Sequence, residues 1–295
     1  MSRPFRLKIA QQTAEAFLKK KGLLKLPVDP FKIAESLDIA VQGKPNDVAG
    51  VSGMLIRHGN SFGIIYATNI DSPGFQRFSV GHEIGHYMLE GHPEAVFTNG
   101  VHISRAGFVT DDVYELEADH FAAGLLMPEA PFLNEIENHV PGLDAIKNVA
   151  GLCGTSLTET AIRYAETSRD PVGIVVSTNG IVDYCFLSSA MQELPQRAWV
   201  KKGRQIPIGS SAAALATSLD RACAGQRVTD TVDIRDWLGG PTVAEATEDS
   251  VGLGLYGKML TVLTLPRSAI QDGIEDDDDE TDEQVLDRWT PRFRR

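Results

Sequence analysis

Pro73-Gly-Phe-Gln-Arg-Phe-Ser-Val-Gly-His-Glu-Ile-Gly-His-Tyr-Met-Leu89 is the stretch on which the reading of this chain turns. It opens on a proline, a favoured first helical residue, and then places Phe75, Phe78, His82, His86 and Leu89 at the three- and four-residue intervals of one helix face. Residues four apart stand one above the other on a helix, so the imidazoles of His82 and His86 can reach a single cation. Glu83 falls about 100° further round the helix, beside the open position of such a cation rather than on it, where a general base belongs. Gly85 removes a side chain next to the pair and permits close packing.

Two histidines leave zinc one protein ligand short, and a glutamate completes one of the sets used in catalysis. Working outward, the segment Glu115-Leu-Glu-Ala-Asp-His-Phe-Ala122 supplies it. Glu115 and Asp119 are four apart and share a face, so Glu115 reads as the third ligand. Asp119 then accepts the far ring N–H of a ligand histidine. Glu117 is offset by two residues from both and is the less favoured ligand. A bare His-Glu-x-x-His arises by chance in many sequences, but a second acidic helix about 29 residues later makes the signal far more specific. His92, His102, His120, Tyr87 and Tyr114 lie near enough in sequence to donate to an oxyanion, although the default reading of each is structural. Residues 91–111 read as a long loop without secondary structure, of a length that suits a substrate flap.

The rest of the chain sets bounds. Its 295 residues are 42% hydrophobic and 23% charged, ordinary for a globular protein of about two domains. Nine of the twelve excess negative charges fall between Asp272 and Glu283, which leaves the body nearly neutral and without the basic footprint of a nucleic-acid binder. Cys153, Cys185 and Cys223 are sparse and odd in number, against a disulfide framework. No signal core or membrane-length apolar run is evident, so a cytoplasmic protein with no membrane partner is expected.

Periodicity predicts helices over 7–20, 29–37, 73–89, 112–127, 131–138, 143–152, 157–166 and 211–224. It predicts hairpins over 51–67 and 172–187 and a strand over 255–265, and the strand at 61–67 is expected to offer an exposed edge where an extended substrate adds as a strand. The expected fold is α+β. A metallopeptidase domain spans 1–140 and a helix-turn-helix-like segment 141–168. A mixed α/β extension follows over 169–270, and residues 271–295 form an acidic tail expected to be disordered.

The run His82-Glu-Ile-Gly-His86, followed by Glu115-Leu-Glu-Ala-Asp-His-Phe-Ala-Ala-Gly-Leu-Leu-Met-Pro128, resembles the ImmA/IrrE-type metallopeptidases over roughly residues 8–168. That resemblance implies a zincin-like, thermolysin-like domain with His82, His86 and Glu115 as ligands of zinc, or alternatively manganese, and Glu83 as general base. It also implies a protein substrate: a helix-turn-helix repressor whose cleavage relieves repression in a stress or mobile-element response. Two rival readings are a catalytically idle, antitoxin-like interaction module and a DNA-binding regulator acting through residues 143–166. In the latter segment Arg163 faces Glu159 and Glu166, a poor charge set for phosphate.

Overall fold

The computed structural model describes residues 3–45, 50–105, 110–254 and 257–271, so the acidic run from Asp272 onward lies outside the described residues. The chain divides into two compact units. Of the described residues, one unit holds those up to 134 together with 149–159, and the other holds 135–148 with 160–271.

The first unit is built from α1 (Arg3–Lys21), α2 (Pro30–Ser36), β1 (Ala40–Lys44), β2 (Val51–His58), β3 (Ser61–Ala67), α3 (Pro73–Met88), α4 (His92–Val96), β4 (Val101–Arg105) and α5 (Val113–Leu126). Its strands form a four-stranded sheet in the order β1-β3-β2-β4. β2 and β3 are the hairpin expected at 51–67, paired from Gly53–Tyr66 to His58–Ser61. Helix α3 lies against this sheet, and Val80 and Ile84 meet Leu55 and Ile64 in one core with Ala10, Ala14 and Leu18 of α1 and Phe121 and Leu125 of α5. The helices start where the chain supplies caps. Asp29 accepts from the backbone N–H groups of Phe31 and Lys32, Ser72 from Phe75, and Asp112 from Tyr114.

Two expectations fail here. Residues 91–111 are not a structureless loop, because they contain α4 and β4. Five-residue elements bounded by Gly91, Asn99 and Gly100 are too short to leave a periodic signal. The strand at 61–67 offers no free edge either: β3 is hydrogen-bonded to β1 on one side and β2 on the other. The outer strand on the β2 side is β4, in register Leu55–His102.

α6 (Glu129–Glu137), α7 (Leu143–Cys153) and α8 (Leu157–Thr167) follow. At the start of α8, Ser156 and Glu159 cap one another, the Ser156 N–H donating to Glu159 Oε2 at 2.9 Å and the Glu159 N–H to Ser156 Oγ at 3.2 Å. The second unit adds β5 (Val172–Thr178), β6 (Ile181–Leu187), α9 (Ser189–Gln192), α10 (Ser211–Ala216), α11 (Leu219–Cys223), β7 (Arg227–Asp233), α12 (Ile234–Leu238), β8 (Glu245–Gly252), β9 (Lys258–Thr264) and α13 (Ser268–Gln271). Its five strands form an antiparallel sheet in the order β6-β5-β9-β8-β7. Val175, Met259 and Leu263 of that sheet share one hydrophobic core with the fully buried Trp237. The single helix expected at 211–224 is two short ones, broken at Thr217 and Ser218. Among the described residues no helix is long and apolar enough to cross a membrane.

Candidate metal centre

Helices α3 and α5 meet through glycines. A Cβ on Gly85 would lie 3.2 Å from Ala118 Cα and from Phe121 Cβ, and one on Gly81 would lie 3.4 Å from Ala122 Cβ. This approach brings the faces carrying His82 and His86 and carrying Glu115 and Asp119 together. The Nε2 atoms of His82 and His86 are 3.0 Å apart. Glu115 Oε2 lies 3.4 Å from His82 Nε2, and Oε1 lies 3.5 Å from His86 Nε2.

A fourth group joins them from the sheet. His102, on β4, places Nε2 2.9 Å from Glu115 Oε1. That nitrogen is buried and lacks a hydrogen bond of proper geometry. One donor atom from each of His82, His86, His102 and Glu115 lies within 4.8 Å of the others. Tetrahedral ligands about 2.1 Å from a zinc ion stand roughly 3.4 Å apart, so these donors fit such an ion with small adjustments. His82 Nε2 and His86 Nε2 stand at hydrogen-bonding distance, so one hydrogen fits between them, and a cation would displace it and take both lone pairs.

The charge states agree with this. Burial holds the His86 ring down to about 3, despite the pull of Glu115, which leaves a neutral nitrogen for coordination. Burial also opposes a charge on His82, but hydrogen bonds to Asp119 and Glu115 outweigh it and raise the ring to about 10. A cation would take the place of that proton. Glu115 is held well below the usual carboxylate range: burial works against this, and the three histidines overcome it.

The outward-facing nitrogens are also engaged. His82 Nδ1 is 2.8 Å from Asp119 Oδ1, the pairing expected of the aspartate. Glu117, the less favoured ligand, points away from the cluster and binds Arg6 and His92. Of the other candidate donors, His120 turns Nδ1 to the carbonyl of Leu116 at 2.8 Å, and Tyr87 packs edge-on against Phe62. Tyr114 packs on His92, behind the cluster. The sequence offered His92 and His102 equally; only the return of β4 beside β2 separates them.

Glu83 is fully buried, and neither carboxylate oxygen has a hydrogen-bond partner of proper geometry, although the Ser104 hydroxyl lies close enough to favour its charge. Burial pushes it up to about 7, with His82, Ser104 and His102 pulling the other way. An unpaired buried carboxylate costs several kcal/mol by order of magnitude, and a fold keeps one where it has a use.

Residues 34–163 match the family model of the IrrE N-terminal-like domain, a peptidase family. The radiation response metalloprotease IrrE of Deinococcus radiodurans is 29% identical to this chain over 112 residues, 38% of this chain and 33% of that protein. The chain thus spans about a third of that relative's length. A Mycobacterium tuberculosis transcriptional regulator of known structure superposes with a TM-score of 0.56 at 13% identity, over 88% of this chain and 76% of that one. At that identity the likeness is one of fold.

Proposed function

We propose, from the premise that residues 34–163 belong to the ImmA/IrrE-type metallopeptidase family, that this chain is a zinc-dependent endopeptidase. His82, His86 and Glu115 hold the metal, Asp119 orients His82, and Glu83 is the general base. The observation that carries this reading is the convergence of these donors beside a buried, unpaired carboxylate. When bound, zinc supplies Lewis acidity, polarising a carbonyl and making water a usable nucleophile near neutral pH. Glu83 accepts the proton of the attacking water and returns it to the leaving amine. His102, aimed into the cluster from β4, donates to the developing oxyanion. An extended substrate adds along β4, the outer strand of the sheet on this side.

The substrate we propose is a cytoplasmic helix-turn-helix repressor, cleaved to relieve repression; the family resemblance supports it. Manganese is the alternative metal. Direct DNA contact through α7 and α8 has little support, since Arg163 is buried and ion-paired with Glu166. A second reading does have an observation in its favour. Four protein donors make a closed set, which is the mark of a structural zinc site, and that suits a catalytically idle interaction module.

One experiment separates the two readings. Metal content and cleavage of repressors encoded near this gene are measured for the wild type, Glu83→Gln and His102→Ala. The peptidase predicts about one zinc per chain in all three and loss of cleavage in Glu83→Gln with metal retained. A protein that cleaves no repressor, and loses its zinc in His102→Ala, is the closed module instead.

A further inference from the structure

His86 turns Nε2 to the donor cluster, and its other ring nitrogen, Nδ1, lies 3.1 Å from Nδ1 of His92. A neutral imidazole that gives one nitrogen's lone pair to a metal keeps its hydrogen on the other. His86 therefore donates from Nδ1, and His92 accepts at Nδ1. With that nitrogen used as acceptor, neutral His92 carries its hydrogen on Nε2 and donates it to Glu117 Oε2 at 3.0 Å. Glu117 accepts in turn from Arg6, at 2.6 Å from Nε to Oε1 and 2.7 Å from Nη2 to Oε2. Each hydrogen in the chain has one direction, and the direction ends with the His86 lone pair facing the cluster.

The surroundings hold this arrangement in place. His92 and Glu117 are buried, while Arg6 is one-third exposed. The Arg6 guanidinium lies 5.4 Å from the centre of the Tyr114 ring, which meets His92 edge-on at 5.1 Å. Three elements supply the three groups: α1 gives Arg6, α4 gives His92 and α5 gives Glu117. Arg6 stands well before residue 34, where the family match begins.

We infer that Arg6, Glu117 and His92 are positioning residues that fix the tautomer and orientation of His86, which makes helix α1 part of the metal site. This rests on the proposed reading of His86 as a ligand. It adds that metal affinity depends on a bidentate ion pair between two helices, one of them outside the matched domain.

The test uses the full chain, stripped of metal. Zinc affinity is measured by competition with a chromophoric chelator, and melting of the metal-free protein is followed separately. Histidine-orienting partners change metal affinity by about 10- to 100-fold, so His92→Phe, which removes the acceptor, weakens zinc binding by that factor. His92→Gln, whose amide oxygen can accept from Nδ1–H, restores most of it. Arg6→Met, at the exposed end where folding is least at risk, weakens binding by a smaller factor. Because both changes act through one chain, adding Arg6→Met to His92→Phe weakens it no further. Variants that melt earlier without metal yet bind zinc as the wild type does would overturn the inference and leave a packing device between α1 and α5. His86→Ala is the control: if it too binds zinc like the wild type, the ligand assignment itself has failed.

Discussion

Gly53 and Glu83 meet with no room for one more carbon: a Cβ on the glycine would lie 2.6 Å from Oε1 of the carboxylate. Gly53 sits on β2, opposite Tyr66 of β3, so the strand holds it in place and the glutamate must give way. Misplacing a reacting group by about 1 Å costs on the order of 10²-fold in rate. Gly53→Ala should therefore lower the turnover number by about that factor while zinc per chain stays unchanged. Steady-state cleavage paired with metal analysis checks this, and unchanged turnover would mean that Glu83 is not the base.

His82 and Asp119 are joined at 2.8 Å through Nδ1. Asp119→Ala removes the acceptor that orients this ring, and zinc affinity should fall by about tenfold or more. Chelator competition reads the change. An affinity equal to the wild type would show that the packing of α3 alone orients His82.

Glu159 makes the stability of this protein pH-dependent. Its carboxyl is pushed up from the usual 4.5 to about 7, chiefly by burial and against the hydrogen bonds from Ser156. An acid whose folded value exceeds its unfolded one stabilises the fold fully below about pH 4.5, and this is lost as pH rises through about 7. The difference amounts to about 3 kcal/mol at most. Urea unfolding from pH 4 to 8 should show wild-type stability declining across that window relative to Glu159→Gln, with the variant the more stable at pH 8. Parallel curves for the two proteins would exclude the effect.

In the second unit, the buried Glu248 accepts from Ser211 Oγ at 2.7 Å, the Ala212 N–H at 2.9 Å and Trp237 Nε1 at 3.1 Å. Glu248→Ala strands two buried donors, the Ala212 N–H and the Trp237 Nε1–H, each worth about 1–3 kcal/mol when left unsatisfied, while Ser211 Oγ keeps Ser250 Oγ at 3.1 Å. The unit should lose about 2 kcal/mol or more, with Glu248→Gln losing less. Trp237 fluorescence during urea unfolding reports it; a variant as stable as the wild type would show that water replaces the carboxylate.

Much of the fold was legible because its elements carry their signals locally. The hairpin at 51–67 is two strand-forming runs joined at a Gly-Asn turn, and α3 and α5 begin at side-chain caps, with α3 buried on every face from Ser79 to His86. β7 and β8 were missed for a physical reason. β7 is an exposed Arg-Val-Thr-Asp-Thr-Val-Asp edge strand, and β8 buries Glu248, Asp249 and Ser250 where a strand reader looks for apolar residues. Arg227 and Thr229 of β7 satisfy Asp249, and Thr261 of β9 satisfies Ser250, only after the sheet has formed, while Glu248 finds its donors on α10 and α12.

The sequence by itself determined that His82 and His86 share a helix face, that Glu83 stands beside them, and that Glu115 and Asp119 share a second face. Those relations follow from the 3.6-residue turn and need no other part of the chain. Which histidines besides these belong to the site was decided only by the tertiary structure. β4 returns beside β2 and carries His102 into the donor cluster, while α4 sets His92 behind His86 and α1 brings Arg6 to Glu117. Contacts between groups as far apart in sequence as Arg6 and Glu117 leave no periodicity for a sequence to display; packing against a common core brings them together.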